Sequence, residues 1–138
     1  MLQIGQYNQL EVLEVGIYGI ILDGLDRGRL LLPRRSVTGN VEVGQSLEVF
    51  VFLDAEGDPV PTTDRPAATV GEVAWLEVVE VNEVGAFVDW GLSKDLFIPF
   101  AEQQHALGKG RHTLVKIYLD NQGRLAGSTR IDLSLIHI

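Results

Sequence analysis

The sequence predicts an all-β protein made of two five-stranded barrels in tandem. Three observations lead there. The chain repeats itself in one register, each repeat reads as short strands bounded by turn residues, and the first strand of each repeat loses its alternation midway, as a strand does when it bends around a barrel.

The repeat comes first. Shifting the chain by 66 residues aligns its halves without a gap. Leu10-Glu11-Val12-Leu13-Glu14-Val15 falls on Leu76-Glu77-Val78-Val79-Glu80-Val81, and Gly19, Asp23, Leu30 and Pro33 fall on Gly85, Asp89, Leu96 and Pro99. The register survives the loops, since Gly44, Val49, Leu53, Asp54, Gly57 and Thr63 meet Gly110, Val115, Leu119, Asp120, Gly123 and Thr129. About sixteen identities over roughly sixty positions exceed what shared valine and glycine content produces. The units are residues 1–65 and 66–132.

Within each unit the first strand is long, Gln6 to Val15 and Glu72 to Val81. The second follows a glycine, Ile20 to Asp23 and Ala86 to Asp89. The third, Arg29 to Leu32 and Leu96 to Ile98, ends at Pro33 or Pro99, which lack the amide hydrogen a ladder needs. A connector follows. Ala101 to Leu107 reads as a short helix, whereas Arg34 to Val41 is interrupted by Gly39-Asn40 and less regular. The fourth strand, Ser46 to Leu53 and His112 to Leu119, places Leu47, Val49, Val51 and Leu53 on one face, with Thr113, Val115, Ile117 and Leu119 matching them. Phe50, Phe52 and Tyr118 point the other way, to pack under a connector or fill the joint between barrels. Tight turns at Asp54–Gly57 and Asp120–Gly123 lead to a fifth strand ending near Thr63 or Thr129. Five strands with a helical connector between the third and fourth is the OB-type plan, and closing the barrel removes exposed edges. A unit of ~60 residues buries a marginal core, so the barrels are expected to pack together across the stiff joint Asp64–Thr69.

Composition narrows the function. Hydrophobic residues make up 46% and charged residues 22% of the 138, a globular balance. Without cysteine there are no disulfides and no thiolate metal sites. No apolar run approaches the ~20 residues of a membrane span, and Met1–Gly5 has no signal-peptide character, so a cytoplasmic location is expected. Catalytic patterns are missing as well. There is no Gly-x-Ser-x-Gly, no Cys/His metal spacing, and Gly108-Lys109-Gly110-Arg111 lacks the residues of a phosphate-binding loop. The expectation is a binding module, with no enzyme activity, cofactor or metal. The net charge of -8 opposes strong non-specific attraction to phosphate.

Glu83-Val84-Gly85-Ala86-Phe87-Val88-Asp89 resembles the Gly-Ala-Phe-Val segment of S1-type RNA-binding domains. Val115-Lys116-Ile117-Tyr118-Leu119-Asp120 with Gly123-Arg124 resembles that family's fourth strand and turn. The resemblance spans Val70 to Arg130, and the first unit shares it through the repeat. It implies a site of two aromatics, a histidine, an aspartate and an arginine on one barrel face. In the second unit these positions hold Val84, Phe87, Pro99, Asp120 and Arg124; the first unit keeps Tyr18 and Asp54 but has Ile21 and Asp58. The second unit is thus the better RNA-binding candidate, and both are degenerate. The tandem barrels, with Leu-Leu-Pro-Arg-Arg at residues 31–35 and Asp-Leu-Phe-Ile-Pro-Phe at 95–100, resemble the N-terminal half of the conserved virulence factor B family. That resemblance implies a bacterial post-transcriptional regulator with further C-terminal domains. Leu133–Ile138 resembles a translated sequencing-library adapter, so a non-native tail is expected there, with the natural chain continuing past Asp132.

The candidate RNA contacts are therefore Phe87, Lys116, Asp120, Arg124 and Arg130, with Tyr18, Arg34 and Arg35 in the first unit, and the expected partner is single-stranded RNA, weakly bound. Each has a plainer alternative. Phe87 either stacks on a base or fills the barrel core. Lys116, Arg124 and Arg130 line a phosphate track or a solvated face, and Arg34-Arg35 contact phosphate or offset nearby acids. Asp120 accepts from a ribose or base edge or, as its repetition at Asp54 favours, caps its turn. Trp75 and Trp90 read as packing or inter-barrel contacts rather than as stacking platforms.

Overall fold

The computed structural model describes residues 1–37 and 39–131; the expected non-native tail at 133–138 lies outside them. The chain divides into two compact units, Met1–Arg65 and a second that begins at Pro66.

The first unit contains β1 (Tyr7–Gly16), β2 (Gly19–Asp23), β3 (Arg29–Pro33), β4 (Ser46–Leu53) and β5 (Pro59–Thr62). The second contains β6 (Val73–Val81), β7 (Gly85–Asp89), β8 (Leu96–Pro99), β9 (His112–Leu119) and β10 (Leu125–Ser128). Each forms one antiparallel five-stranded sheet, in the order β3-β2-β1-β4-β5 or β8-β7-β6-β9-β10. The outer strands of each sheet approach one another, β3 near β5 and β8 near β10, so both sheets curl into nearly closed barrels.

The repeat is realised strand for strand. Leu10, Val12, Ile20, Leu22, Leu30, Leu32, Val49 and Val51 are buried in the first unit, and their counterparts Leu76, Val78, Ala86, Val88, Leu96, Ile98, Val115 and Ile117 are buried in the second. Removing such side chains from water is the main driving force for each barrel. The slip in alternation is a bulge at equivalent places: β1 shifts register against β2 between Val12 and Glu14, and β6 against β7 between Val78 and Glu80. The extra residue bends the long strand so that it pairs with the second strand at one end and the fourth at the other.

The helical connectors are not found, and among the described residues there is no α-helix. A single 3-10 turn follows each proline, Arg34–Ser36 and Phe100–Glu102, and Gln103 is already extended at φ -96°, ψ 113°. The reason lies in where the backbone groups bond. Thr129 N–H donates to the Glu102 carbonyl (3.1 Å), Gln104 N–H to Thr129 Oγ1 (2.9 Å), and Arg130 Nε to the Ala101 carbonyl (2.9 Å). The costly nucleation of a seven-residue helix is avoided because the chain following β10 supplies partners. In the first unit Thr63 Oγ1 likewise donates to the Ser36 carbonyl (2.6 Å). No helix among the described residues is long and apolar enough to cross a membrane.

Candidate nucleic-acid interface

Alternation along β7 and β8 sends Ala86, Val88, Leu96 and Ile98 into the second barrel, leaving Phe87 and Phe97 on its outer surface. Phe87 is therefore not a core residue. It sits half-buried in the cross-strand row Glu80–Phe87–Phe97. The two phenyl rings lie 5.1 Å apart with planes tilted by 41°. Each covers part of the other while the pair still faces outward, in the tilted geometry that aromatic pairs favour.

Gly85 makes room for this platform. A Cβ on Gly85 would come within 2.6 Å of the Phe97 ring and 2.3 Å of the Ile98 carbonyl oxygen. Beyond Gly85, Phe100 N–H donates to the Val84 carbonyl (3.2 Å), joining the turn after β8 to the turn before β7. Val84 and Phe100 are 60% and 68% exposed, so apolar surface continues past the phenyl pair at this end of the barrel. Asn82 Oδ1 holds that turn by accepting from the N–H groups of Val84 (3.0 Å) and Gly85 (3.1 Å). Phe97 and Phe100 were missed in the sequence. The signal for Phe97 was its place between the two inward residues Leu96 and Ile98, in register with Phe87.

The β9–β10 hairpin carries the polar candidates. Asp120 Oδ1 accepts from the N–H groups of Gln122 (2.8 Å) and Arg124 (2.9 Å), and Asp120 N–H donates to the Arg124 carbonyl (2.8 Å). The turn role anticipated for Asp120 is thus real. It is reproduced at Asp54, whose Oδ1 accepts from Glu56 (3.0 Å) and Asp58 (2.9 Å). Arg124 is half-buried at the start of β10. Because β8 pairs with β7 and lies along β10, Phe97 stands on the strand between those carrying Phe87 and following Arg124.

Lys116 is exposed on β9, and the exposed Arg130 is tied to the connector through its bond to Ala101. Tyr118, on the same side of β9 as Lys116, has its phenol pushed up by burial, with the carboxylates of Glu102 and Asp120 adding to the shift. Of the tryptophans, Trp90 is a packing residue, 4% exposed with Nε1 donating to the Lys94 carbonyl (2.9 Å). Trp75 departs from the packing expectation, being 64% exposed.

In the first unit Tyr18 occupies the β1–β2 turn, 80% exposed, and Arg34 N–H donates to its carbonyl (3.2 Å). Arg34 and Arg35 are both exposed in the 3-10 turn after Pro33. The main chains of two sequence-distant candidates, Tyr18 and Arg34, are thereby brought together. Phe50, placed outside the barrel interior by the alternation of β4, is nonetheless fully buried, its ring edge-on to Tyr7 and stacked on Phe52.

Duplicated, bulged five-stranded barrels with an outward aromatic row beside the last hairpin define a tandem OB-type protein. The chain belongs to the S1 domain family, whose model matches residues 4–64 and again 70–130. It is similar to the YitL protein of Bacillus subtilis, with 30% identity over 129 residues that cover 88% of this chain and 42% of that protein. It is also similar to conserved virulence factor B of Staphylococcus epidermidis, with 27% identity over 141 residues covering 94% of this chain and 47% of that protein. Among solved structures it shares its fold with a multidomain protein with nucleic acid binding domains from Streptococcus pneumoniae. The TM-score is 0.77 at 20% identity, over 95% of this chain and 47% of that one. The chain thus spans less than half the length of these relatives.

Proposed function

We propose that the chain is the RNA-binding module of a cytoplasmic bacterial post-transcriptional regulator, that it has no catalytic activity, and that it contacts single-stranded RNA weakly and mainly through its second barrel. The observation that carries this reading is the outward Phe87–Phe97 pair, 5.1 Å between centroids, with Phe97 on the strand that lies along β10 of the Asp120–Arg124 hairpin. Unpaired bases stack on such rings for about 1–3 kcal/mol each, with little dependence on base identity. Arg124, Lys116 and Arg130 supply positive charge for phosphate, and Asp120 has a second carboxylate oxygen to offer a ribose or base edge. Tyr18, Arg34 and Arg35 make the first barrel a weaker second contact. The greater length of the relatives fits a regulator in which other domains add affinity.

The test is a titration of labelled single-stranded RNA at low salt against the protein and its Phe87→Ala and Arg124→Ala variants. The reading predicts a loss of about 1–3 kcal/mol for Phe87→Ala. Unchanged binding in both variants rejects the assigned face.

A second reading has its own support. The net charge of -8 and the placement of Val84 and Pro99 at family site positions fit a spacer or protein-interaction module that orients other domains. Absence of RNA binding even at low salt selects it.

A further inference from the structure

Trp75 is the exposed one of the two tryptophans. It lies on the outer face of β6, opposite Leu114 of β9, and is 64% exposed. The repeat supplies the comparison, because its counterpart in the first barrel is Gln9. Gln9 Nε2 donates to Glu48 Oε2 (3.3 Å), and Glu48 Oε1 pairs with Arg65 (2.9 Å), which also stacks over Tyr7 at 5.1 Å. One copy of the fold therefore covers this face with an ordinary polar network. The other leaves a large aromatic 64% exposed there.

Two further features say what kind of contact. The indole is stacked on the His112 imidazole, centroids 6.0 Å apart and planes within 17°, so the pair is a short aromatic stack that a base can extend as a ledge. The segment that carries His112 is basic within an acidic chain. From Gln103 to Leu119 there is no Asp or Glu, while Lys109, Arg111 and Lys116 fall within it. Lys109 and Arg111 precede His112 in an exposed loop pinned to β6 by the Arg111 carbonyl, which accepts from Val78 N–H (2.8 Å), and by Gly110 N–H, which donates to the Val78 carbonyl (2.7 Å). Lys116 follows four residues later on the same face as His112, about 13 Å along the strand. The acid in register is Glu77, opposite His112 on β6, so positive charge collects on the β9 side of the ledge.

We infer that the outer face of β6 and β9 is a second contact for single-stranded nucleic acid, in which an unpaired base stacks on Trp75 and His112 while Lys109, Arg111 and Lys116 follow the phosphates. The inference rests on the RNA-binding reading above and extends it to a face separate from the Phe87 row, which lies five residues further along β6 at Glu80, beyond the bulge. Flat aromatic ledges flanked by cations are what a base and its phosphate recognise together. A protein partner would use the indole but has no need of the acid-free basic segment.

The protein reports on this face itself, since of its two tryptophans one is exposed and one buried. Titrate the 138-residue chain with oligouridylate at low salt, following tryptophan emission and, in parallel, binding of a labelled oligonucleotide. Expected are quenching in the parent protein, its loss in Trp75→Gln, and an affinity for that variant lower by roughly fivefold or more. Glutamine is the residue the first barrel carries at this place, so the substitution is compatible with the fold. Arg111→Gln checks the same face without touching the indole and should lower the salt slope by about 0.7. Phe87→Ala should retain quenching at its own reduced affinity. Binding that quenches nothing and is unchanged in Trp75→Gln and Arg111→Gln overturns the inference while leaving the Phe87 face standing. Weakening by Trp75→Gln alone, with Phe87→Ala neutral, removes the Phe87 face instead. No binding at all removes both, and a partner protein would then be the occupant.

Discussion

The main-chain N–H of Arg34 donates to the carbonyl of Tyr18 over 3.2 Å, clamping the turn after β3 onto the turn before β2. The second barrel makes the same bond at the same length between Phe100 and Val84. The scaffold is therefore common to both barrels, and the side chains it presents differ: an aromatic with a cation in the first, two apolar groups in the second. If the first barrel contacts RNA, Arg34→Gln combined with Arg35→Gln should reduce the slope of log K against log salt by up to about 1.4. Measured binding isotherms at several salt concentrations check this. An unchanged slope would assign these arginines to a solvated surface.

Gly85 should resist substitution. Its missing Cβ leaves the space where the Phe97 ring and the Ile98 carbonyl come closest. Gly85→Ala is expected to destabilise the protein by about 1–3 kcal/mol, as overpacking does. Because the added methyl meets both the Ile98 carbonyl of β8 and the Phe97 ring, RNA affinity should fall in the same variant. Chemical denaturation and an RNA titration read the two effects separately.

Most of the fold was legible in the sequence because duplication writes each core position twice. Leu10 with Leu76, or Val49 with Val115, predicts burial more firmly than either residue alone, and the bulge was visible as the slip after Val12 and Val78. The connectors were not legible. Ala101 to Leu107 has helix-forming residues, but its backbone groups bond to Thr129 and Arg130, and no local propensity encodes that distant partner. The site was half legible. Motif positions named Phe87, Asp120 and Arg124, whereas Phe97 and Trp75 needed the sheet register to show which face they occupy.

Asp120 has two roles to separate. Asp120→Asn keeps the Oδ1 acceptor for Gln122 and Arg124 N–H and so should keep the hairpin, while Asp120→Ala should cost about 1 kcal/mol, as should Asp54→Ala in the first barrel. If the carboxylate also contacts RNA, Asp120→Asn changes affinity without changing the melting temperature. The Asp54 variants provide the control in which only the turn is at stake.

Stability should also respond to acid through Glu72. Thr69 N–H (2.7 Å) and Thr69 Oγ1 (2.8 Å) both donate to Glu72 Oε1, and these bonds hold its carboxyl below the usual glutamate range. A pKa lowered by folding contributes stability above the unfolded value of about 4.3 and loses it as pH falls through the folded value. Glu72→Gln should therefore melt below the parent at pH 7, and the gap should narrow as the pH falls through the folded value. A gap that is independent of pH would show that the carboxylate's charge is not involved.

The central claim is that RNA lies on the outer β7–β8 face beside the last hairpin. It is tested most directly by mapping amide and aromatic NMR shifts of the protein as single-stranded RNA is added at low salt. The account predicts that Phe87, Phe97 and the Asp120–Arg124 turn shift with the lowest RNA requirement, ahead of Tyr18 and Arg34. Shifts confined to other surfaces, or none at saturating RNA, would contradict it.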